Sequence, residues 1–365
     1  MTWIKIQAQD VWLFRDGKPF SAGQDHSAIG MFPPTPFTVQ GAFRQKISMQ
    51  LGVNLRDYKR ASSGEKAPEN AFDAVEAIGK HGDLNDTGRF RLDGVYVAQT
   101  TEQGTSPLLS VPADLFYHDD KKDFIISKPT EHLISDLEDS LIFPKVIEGY
   151  ENQPNHYLTV DDFNRYLSDK LPERMISSGD IYDTESRFGV STDAYKSYAE
   201  EGQLYQIQFV RPKENISLLA NVQGIKDEFL EGSLQLGGEG RQADATIIND
   251  VSLPTQPSTV TGKFKVIFLT PTYLVGGWRP QDKDWSKLFG DAVVLRSASL
   301  YRPLKIGGWS NAKGTARAMY HYVAPGSVYY FETNKTITLP NFLSENPPNI
   351  HANSVGLGRY VTAQW

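Results

Sequence analysis

Alternation of apolar and polar residues along the chain predicts several β-strands. Residues 4–13 and 203–211 alternate with a period of two, the spacing at which successive side chains point to opposite faces of a sheet. In the second of these segments, Tyr205, Ile207 and Phe209 form the apolar face. Further strands are predicted at residues 94–98, 187–191, 263–269, 292–295, 327–332 and 356–365.

A helical spacing of apolar residues occurs at two places. After the proline-rich residues 33–36, apolar positions three and four apart predict a helix whose N-cap is Thr38 and which runs to Leu51. Residues 159–167 predict a second, short helix, with Thr159 as its N-cap.

Loop signals separate these elements. Ser, Gly and Pro residues at 61–70 predict a linker, and the glycines of residues 237–243 predict a tight turn. A strand, a glycine-rich loop, a helix and then many strands with few helices predict α+β domains of the split-βαβ type. A length of 365 residues favours two domains.

Composition narrows the class of protein. The chain contains no cysteine, which excludes disulfides, thiolate zinc sites and a cysteine nucleophile. It has no apolar run long enough to cross a membrane and begins with a strand-like alternation instead of a secretory signal. We therefore expect a cytoplasmic protein that has no membrane partner.

Charge is distributed unevenly. The net charge is −7, yet residues 292–331 contain no acidic residue and five basic ones. Residues 1–60 also carry an excess of positive charge, whereas residues 114–200 contain nineteen acidic residues against nine basic ones. This pattern favours an anionic partner at the basic stretch and a protein neighbour, or solvent, at the acidic one. A basic loop that arises by chance explains the first stretch equally well.

Signals for catalysis are weak. The turn at residues 237–243 lacks the Lys-Ser/Thr of a P-loop and the spacing of a dinucleotide site, so a closely packed turn is favoured. The seven histidines lack the spacing of helical metal ligands, and we predict no metal and no cofactor. His26, near Arg15 and Lys18 in sequence, is a candidate general base for RNA cleavage, although a hydrogen-bonding or RNA-contacting role in a flexible loop is favoured.

Blocks of sequence spread over most of the chain carry a resemblance to a known family. They are Phe14–Phe20, Phe32–Arg44, Val111–Leu115, Tyr157–Leu167, Glu185–Val190 with Gly202–Tyr205, Leu236–Arg241, and Gly308–Trp309 with Ala324–Tyr329. Together and in this order they resemble the third subunit of the Cmr complex, the type III-B CRISPR RNA-guided effector, of the RAMP superfamily.

The resemblance implies two ferredoxin-like (RRM-type) domains with long loop insertions, which we place at residues 1–200 and 201–365. It implies a non-catalytic, RNA-binding subunit of an antiviral ribonucleoprotein. Such a subunit caps the 5′ repeat-derived tag of the guide RNA and docks onto the large polymerase-type subunit and the first backbone subunit. It has no small-molecule substrate.

Single-stranded RNA is held by cations, by the backbone of glycine loops and by aromatic platforms. The candidate cations are Arg15, Lys18, Arg44, Arg187, Arg241, Arg302, Lys305 and Arg317; the other candidates are His26, Gly41, Gly238, Gly240, Gly308, Phe14 and Trp309. A place in the core is an equally good explanation of Phe14, and a pairing with a carboxylate would explain Arg44. Two other functions stay open: a metal-independent endoribonuclease that processes repeats through His26, and an α+β enzyme acting on a small molecule.

Overall fold

The chain forms two compact units in a computed structural model that describes residues 1–15, 27–28, 30–130, 142–144, 147–192, 199–310 and 314–365. Each unit is assembled from three segments of the chain. The first unit comprises Met1–Val95, Gly179–Asn249 and Lys305–Tyr320, and the second comprises Tyr96–Ser178, Asp250–Leu304 and His321–Trp365. The boundary between two domains near residue 200 stays a prediction.

Helices are few in the described ranges. They are α1 (Pro36–Gln50), α2 (Leu55–Ser62), α3 (Glu69–Ile78), α4 (Val160–Leu167) and α5 (Ser286–Phe289). None of them combines the length and the hydrophobicity of a bilayer-spanning segment.

Strands dominate the described residues. They are β1 (Thr2–Ala8), β2 (Ser27–Ala28), β3 (Arg91–Thr101), β4 (Gly104–Ser110), β5 (Leu115–His118), β6 (Asp123–Ile126), β7 (Pro129–Thr130), β8 (Phe143–Pro144), β9 (Glu151–Asn152), β10 (His156–Leu158), β11 (Ile176–Ser177), β12 (Tyr182–Thr192), β13 (Ala199–Pro212), β14 (Ile216–Gln223), β15 (Gly232–Gln235), β16 (Gln242–Ile248), β17 (Thr259–Phe268), β18 (Val294–Ser299), β19 (Leu304–Ile306), β20 (Trp309–Ser310), β21 (Thr315–Ala316), β22 (Tyr320–Tyr322), β23 (Val328–Thr338) and β24 (Tyr360–Gln364).

The first unit is built on an antiparallel sheet in which β14, β1, β16 and β15 are neighbours. Ile4 and Ile6 of β1 point to one face, where they join a core that includes Val39, Phe43 and Ile47 of α1. These three α1 residues are four positions apart, so they form one apolar stripe of the helix. The predicted helix is confirmed, and its packing fixes the position of the whole α1 surface on the sheet.

The start of α1 differs from the prediction. Thr35, not Thr38, is the N-cap, because the Thr35 hydroxyl accepts a hydrogen bond from the backbone N–H of Thr38. Pro36 takes the first helical position, where the missing N–H has no cost. The prediction of Thr38 was therefore wrong by three residues.

The second unit contains a four-stranded sheet in the order β18, β23, β17, β24. Every pair in it is antiparallel. Tyr329 and Phe331 of this sheet pack against Trp285, Phe264 stacks on Phe331, and all four are buried in one core. The strands predicted at residues 263–269, 292–295, 327–332 and 356–365 are confirmed in this sheet, with boundaries shifted by up to six residues.

Other sequence predictions have mixed outcomes. The strand pair around residues 187–191 and 203–211 is confirmed as the antiparallel hairpin β12–β13. The linker at residues 61–70 is only partly correct, because α2 and α3 occupy its two ends. A mixed α and β fold with mostly antiparallel sheets and few helices is confirmed, and the ferredoxin-like character of the two domains stays a prediction.

Helix α4 begins as predicted, with the Thr159 hydroxyl accepting a hydrogen bond from the Asp162 N–H at 3.2 Å. We expect Thr159→Ala to lower the free energy of unfolding by about 1 kcal/mol, because an N–H of the first turn loses its acceptor. Urea unfolding measures the change. Thr159→Ser keeps the acceptor and should be within about 0.5 kcal/mol of the wild type.

Candidate nucleic-acid interface

Arg44 lies on helix α1 one turn after Gly41 and reaches over the segment that follows α3. Its guanidinium donates to the carbonyl oxygens of Lys80, Asp83 and Asp86 at 3.0, 3.4 and 3.4 Å. Within the described residues it forms no salt bridge with a carboxylate. The positive charge of Arg44 is therefore held in place by carbonyl groups without being neutralised.

Arg317 follows the short hairpin of β20 and β21 and is tied to its other arm, because its backbone N–H donates to the Gly308 carbonyl at 2.9 Å. The Arg317 side chain is half-buried. Burial lowers the pKa of Arg317, and the positive charge of Arg44 lowers it further. In the part of the chain that the structure describes, no carboxylate pairs with Arg317. Neither guanidinium thus has a salt bridge among the described residues, and the charge of Arg44 acts on Arg317 strongly enough to lower its pKa.

The residues around these two arginines leave room for a ligand. A Cβ built on Gly41 or on Gly308 would meet no atom within 4 Å. Gly308 has φ +121°, a conformation that favours glycine. The ring of Trp309 is 60% exposed, which is unusual for so large an apolar side chain.

The tripeptide Gly-Gly-Trp of residues 307–309 occurs again at residues 276–278 in the second unit, where its tryptophan has a different role. Trp278 follows Gly276 and Gly277, packs against the core of the second unit and lies under the Arg279 guanidinium at 4.6 Å. Its carbonyl accepts a hydrogen bond from the Tyr329 hydroxyl. Only Trp309 of the two presents an open aromatic face.

The predicted glycine turn lies between β15 and β16. Gly238 donates its N–H to the Leu13 carbonyl at 2.8 Å, and a Cβ at this position would lie 3.1 Å from the Leu13 side chain. Gly237 has φ +101° and an equally close approach to Leu13. These two glycines are explained by close packing within the chain. Gly240, with φ +65°, is exposed at the tip of the turn.

A hydrogen bond connects the helix with this turn. The Gln45 side chain of α1 donates to the Gln235 side chain at 3.0 Å, and a Cβ on Gly240 would lie 3.7 Å from the Gln235 amide nitrogen. Gln45 is exposed one turn after Gly41. The α1 surface and the glycine turn therefore belong to one continuous face of the first unit.

Arg187 and Arg241 lie beside the turn in a network of charges with Asp10, Glu185 and Arg211. Glu185 binds Arg187 through one oxygen and Arg211 through the other, each at 2.6 Å. These two arginines hold the pKa of Glu185 below its usual range. Arg211 also contacts Asp10 at 2.9 Å. The network connects hairpin β12–β13 to Asp10, which follows strand β1. It also neutralises most of the charge of Arg187.

The other predicted site residues differ in exposure. Phe14 is 3% exposed and packs on Trp12, so its ring is unavailable for stacking on a base in this structure. Arg15 is exposed beside Gly30. Lys305 is exposed in the first unit, and Arg302 is exposed in the second. Lys18 and His26 lie outside the described residues.

Sequence reasoning missed three residues of this face: Asp10, Glu185 and Phe209. A spacing of two places Glu185 and Arg187 on the same side of a strand, so their pairing was open to prediction. Phe209 is buried beneath Arg187 and Arg241, whose guanidinium carbons lie 4.8 and 4.6 Å from the centre of its ring. Phe188 follows Arg187, so its side chain lies on the other side of β12, where it is 70% exposed.

Comparison with known proteins gives a family. A family model for a CRISPR-associated protein (Cas_Cmr3) matches residues 4–354. No curated protein matches the sequence. A chain in the cryo-EM structure of the Type III-B Cmr-beta bound to cognate target RNA and AMPPnP is similar, with a TM-score of 0.49 and 14% identity over 90% of this chain and 86% of that one. A chain in the crystal structure of the Csm3-Csm4 subcomplex of the type III-A interference complex has a TM-score of 0.41 and 12% identity, over 95% of this chain and 100% of that one.

Both structural likenesses have TM-scores below 0.5, so the family assignment rests on the family model. That model spans nearly the whole chain, from the first strand to a point eleven residues before the last residue. The resemblance predicted from the ordered sequence blocks is confirmed. The chain belongs to the Cas_Cmr3 family of CRISPR-associated proteins and is a Cmr-type subunit of a type III CRISPR complex.

Proposed function

We propose that this subunit binds and caps the 5′ repeat-derived tag of the guide RNA without catalysing a reaction. The observation that carries the proposal is that Arg44, held by three carbonyl oxygens, and the half-buried Arg317 both lack a salt bridge among the described residues. The charge of Arg44 also lowers the pKa of Arg317. Like charges held together in a partly buried place destabilise a protein unless an anion binds between them. An RNA phosphate supplies that anion.

The surroundings of the two arginines suit single-stranded RNA better than a duplex. Gly41 and Gly308 leave the backbone open to close approach, and the exposed ring of Trp309 offers a stacking surface for an unpaired base. A duplex hides the faces of its bases, so it would use the cations alone. The protein has a net charge of −7, so its affinity for RNA depends on local groups of positive charge such as this one.

Docking onto the large polymerase-type subunit and onto the first backbone subunit is part of the same proposal. Between residues 114 and 200, the described acidic side chains of Asp119, Asp120, Glu148, Glu151 and Asp161 are exposed. An acidic surface repels RNA and attracts basic patches on a protein. We assign this surface to a protein neighbour, and we keep the proposal of two ferredoxin-like domains as its framework.

Co-purification tests the function as a whole. The tagged protein is recovered from its native host at moderate salt, and the bound RNA and proteins are identified by sequencing and mass spectrometry. Guide RNAs that share one 5′ end, together with other Cmr subunits, are expected. A protein recovered without RNA and without partners would overturn the proposal, and a ribonuclease assay with His26→Ala would then test the enzymatic alternative.

Trp309→Ala is expected to weaken the binding of a tag-containing RNA about tenfold, because loss of one stacking surface costs about 1–3 kcal/mol. Its thermal stability should equal that of the wild type, since the ring is exposed. Trp278→Ala is the matched control, with the opposite result: lower stability and unchanged affinity. Fluorescence anisotropy and thermal unfolding measure the two properties. Equal affinity of Trp309→Ala and the wild type would show that no base stacks there.

A further inference from the structure

Arg241 differs from the other arginines of its network in having unfilled hydrogen-bonding capacity. Arg187 and Arg211 each bind Glu185 at 2.6 Å. The contacts of Arg241 with Asp10 and Glu239 are 3.7 and 3.6 Å long, beyond hydrogen-bond length. Its Nε is buried and has no hydrogen-bond partner among the described residues. The Arg241 side chain is therefore held in position although not all of its N–H donors have an acceptor.

The orientation of Arg241 comes from packing. Its guanidinium lies 4.6 Å from the centre of the buried Phe209 ring, and the side chain is 22% exposed. An arginine fixed on an aromatic ring keeps its planar group of donors available for an oxyanion. Such an anion would reach the guanidinium through the exposed part of the side chain.

Glu239 occupies that entrance. It lies at the exposed tip of the glycine turn with φ +55°, a backbone conformation that glycine or asparagine adopts more readily than glutamate. Its neighbours Gly238 and Gly240 are glycines, and the turn is closed by the bond from the Leu236 N–H to the Arg241 carbonyl at 2.9 Å. The turn thus holds a carboxylate next to the donors of Arg241 although the backbone does not favour a glutamate there.

We propose that Glu239 competes with RNA at the interface: its carboxylate takes the place of an RNA phosphate at Arg241, and the bound RNA displaces it. This inference rests on the proposed RNA-binding function. The cost of displacing the carboxylate is a property of the protein, so it is the same for every RNA that places a phosphate at Arg241. It lowers both affinities by one factor, and only an RNA that makes further contacts still binds tightly.

The test compares the wild type with Glu239→Gln, which keeps the size of the side chain and removes its charge. Binding of a 3′-labelled RNA carrying the host's guide tag, and of an unrelated RNA of the same length, is measured by fluorescence anisotropy. We expect Glu239→Gln to bind each of the two RNAs about fivefold more tightly, because the competition that is lost is the same for both. Glu214→Gln is the matched control, an exposed glutamate of the same unit, and should change neither affinity.

An Arg241→Gln background separates the local effect from a general change in charge. There, Glu239→Gln should no longer tighten the binding of either RNA, because the two residues act on the same phosphate. Equal affinities of Glu239→Gln and the wild type for both RNAs would overturn the inference. Weaker binding would also overturn it, since Glu239 would then position Arg241 for RNA.

A second readout is independent of RNA. Inorganic pyrophosphate should raise the melting temperature of Glu239→Gln more than that of the wild type, and Arg241→Gln should abolish this difference. If the wild type binds neither RNA while the pyrophosphate response depends on Arg241, the proposed RNA function fails and the anion site stands. If pyrophosphate gives no such difference, the inference about Glu239 is wrong.

Discussion

Replacing Lys265 by methionine is expected to lower the free energy of unfolding by about 3–5 kcal/mol, since it leaves a buried carboxylate without its ion-pair partner. The Lys265 amino group lies 3.0 Å from Asp114 and donates to the Tyr166 hydroxyl at 2.7 Å. Asp114 is fully buried and accepts from the hydroxyls of Tyr166 and Tyr330, each at 2.6 Å. Each of these four side chains finds a hydrogen-bond or ion-pair partner in another member of the network.

The network joins distant parts of the second unit. Lys265 lies in β17, Tyr330 in β23, Tyr166 in α4, and Asp114 directly precedes β5. Burial raises the pKa of Tyr166 and of Tyr330 well above the usual range, and the charge of Asp114 raises both further. Both phenols therefore stay protonated and act as donors. The network specifies how the helix and these strands are arranged.

Two further variants test the expected loss of stability in Lys265→Met by urea unfolding. Lys263→Met removes an exposed lysine from the same strand and should be within about 1 kcal/mol of the wild type. The double variant Asp114→Asn, Lys265→Met should lose less than the sum of the two single losses, because it leaves no unpaired charge. A loss below about 1 kcal/mol for Lys265→Met would contradict the prediction.

The sequence pattern predicted the strands of the second unit because they alternate or are continuously apolar. It did not predict this network, because Asp114, Tyr166 and Lys265 are polar residues separated by many positions. A polar residue in a strand reads as exposed unless its partner is known. Lys265 illustrates the difficulty: Lys263 has the same spacing pattern and is exposed. Burial of a charged side chain is decided by tertiary contacts that periodicity does not contain.

The candidate interface was also predicted only in part from the sequence. The basic stretch at residues 292–331 indicated Arg317 and Trp309, and the helix pattern indicated a face of α1. Nothing in the sequence indicated that the charge of Arg44 acts on Arg317, since they are far apart along the chain. The pairing of Arg187 with Glu185 was also missed, and it shows that this arginine is largely neutralised within the protein. Charge counts alone do not distinguish a free cation from a paired one.

Arg317→Gln is expected to weaken the binding of tag-containing RNA by about 10- to 100-fold, which corresponds to the loss of one or two charge-assisted hydrogen bonds. Removing this charge also relieves its repulsion with Arg44 and the cost of burying a guanidinium. The variant should therefore be as stable as the wild type or more stable. Loss of binding together with unchanged or higher stability distinguishes a ligand contact from a structural residue.

Anisotropy at several salt concentrations measures the first effect. If Arg317 neutralises one phosphate, the slope of log affinity against log salt should fall by about 0.7 in the variant. Arg174→Gln is the control, because it removes an equal charge from an exposed position in the second unit. It should leave the slope unchanged. An equal loss of affinity in both variants would show that RNA responds to total charge and not to this pair.

Arg44→Gln separates the two roles that the structure gives to Arg44. Its bonds to the carbonyl oxygens of Lys80, Asp83 and Asp86 make it structural, so we expect lower stability as well as weaker binding. In the double variant with Arg317→Gln, the loss of affinity should be smaller than the product of the single losses, because both arginines contact one phosphate. Losses that multiply fully would instead place the two arginines on separate phosphates, and the shared anion site would be wrong.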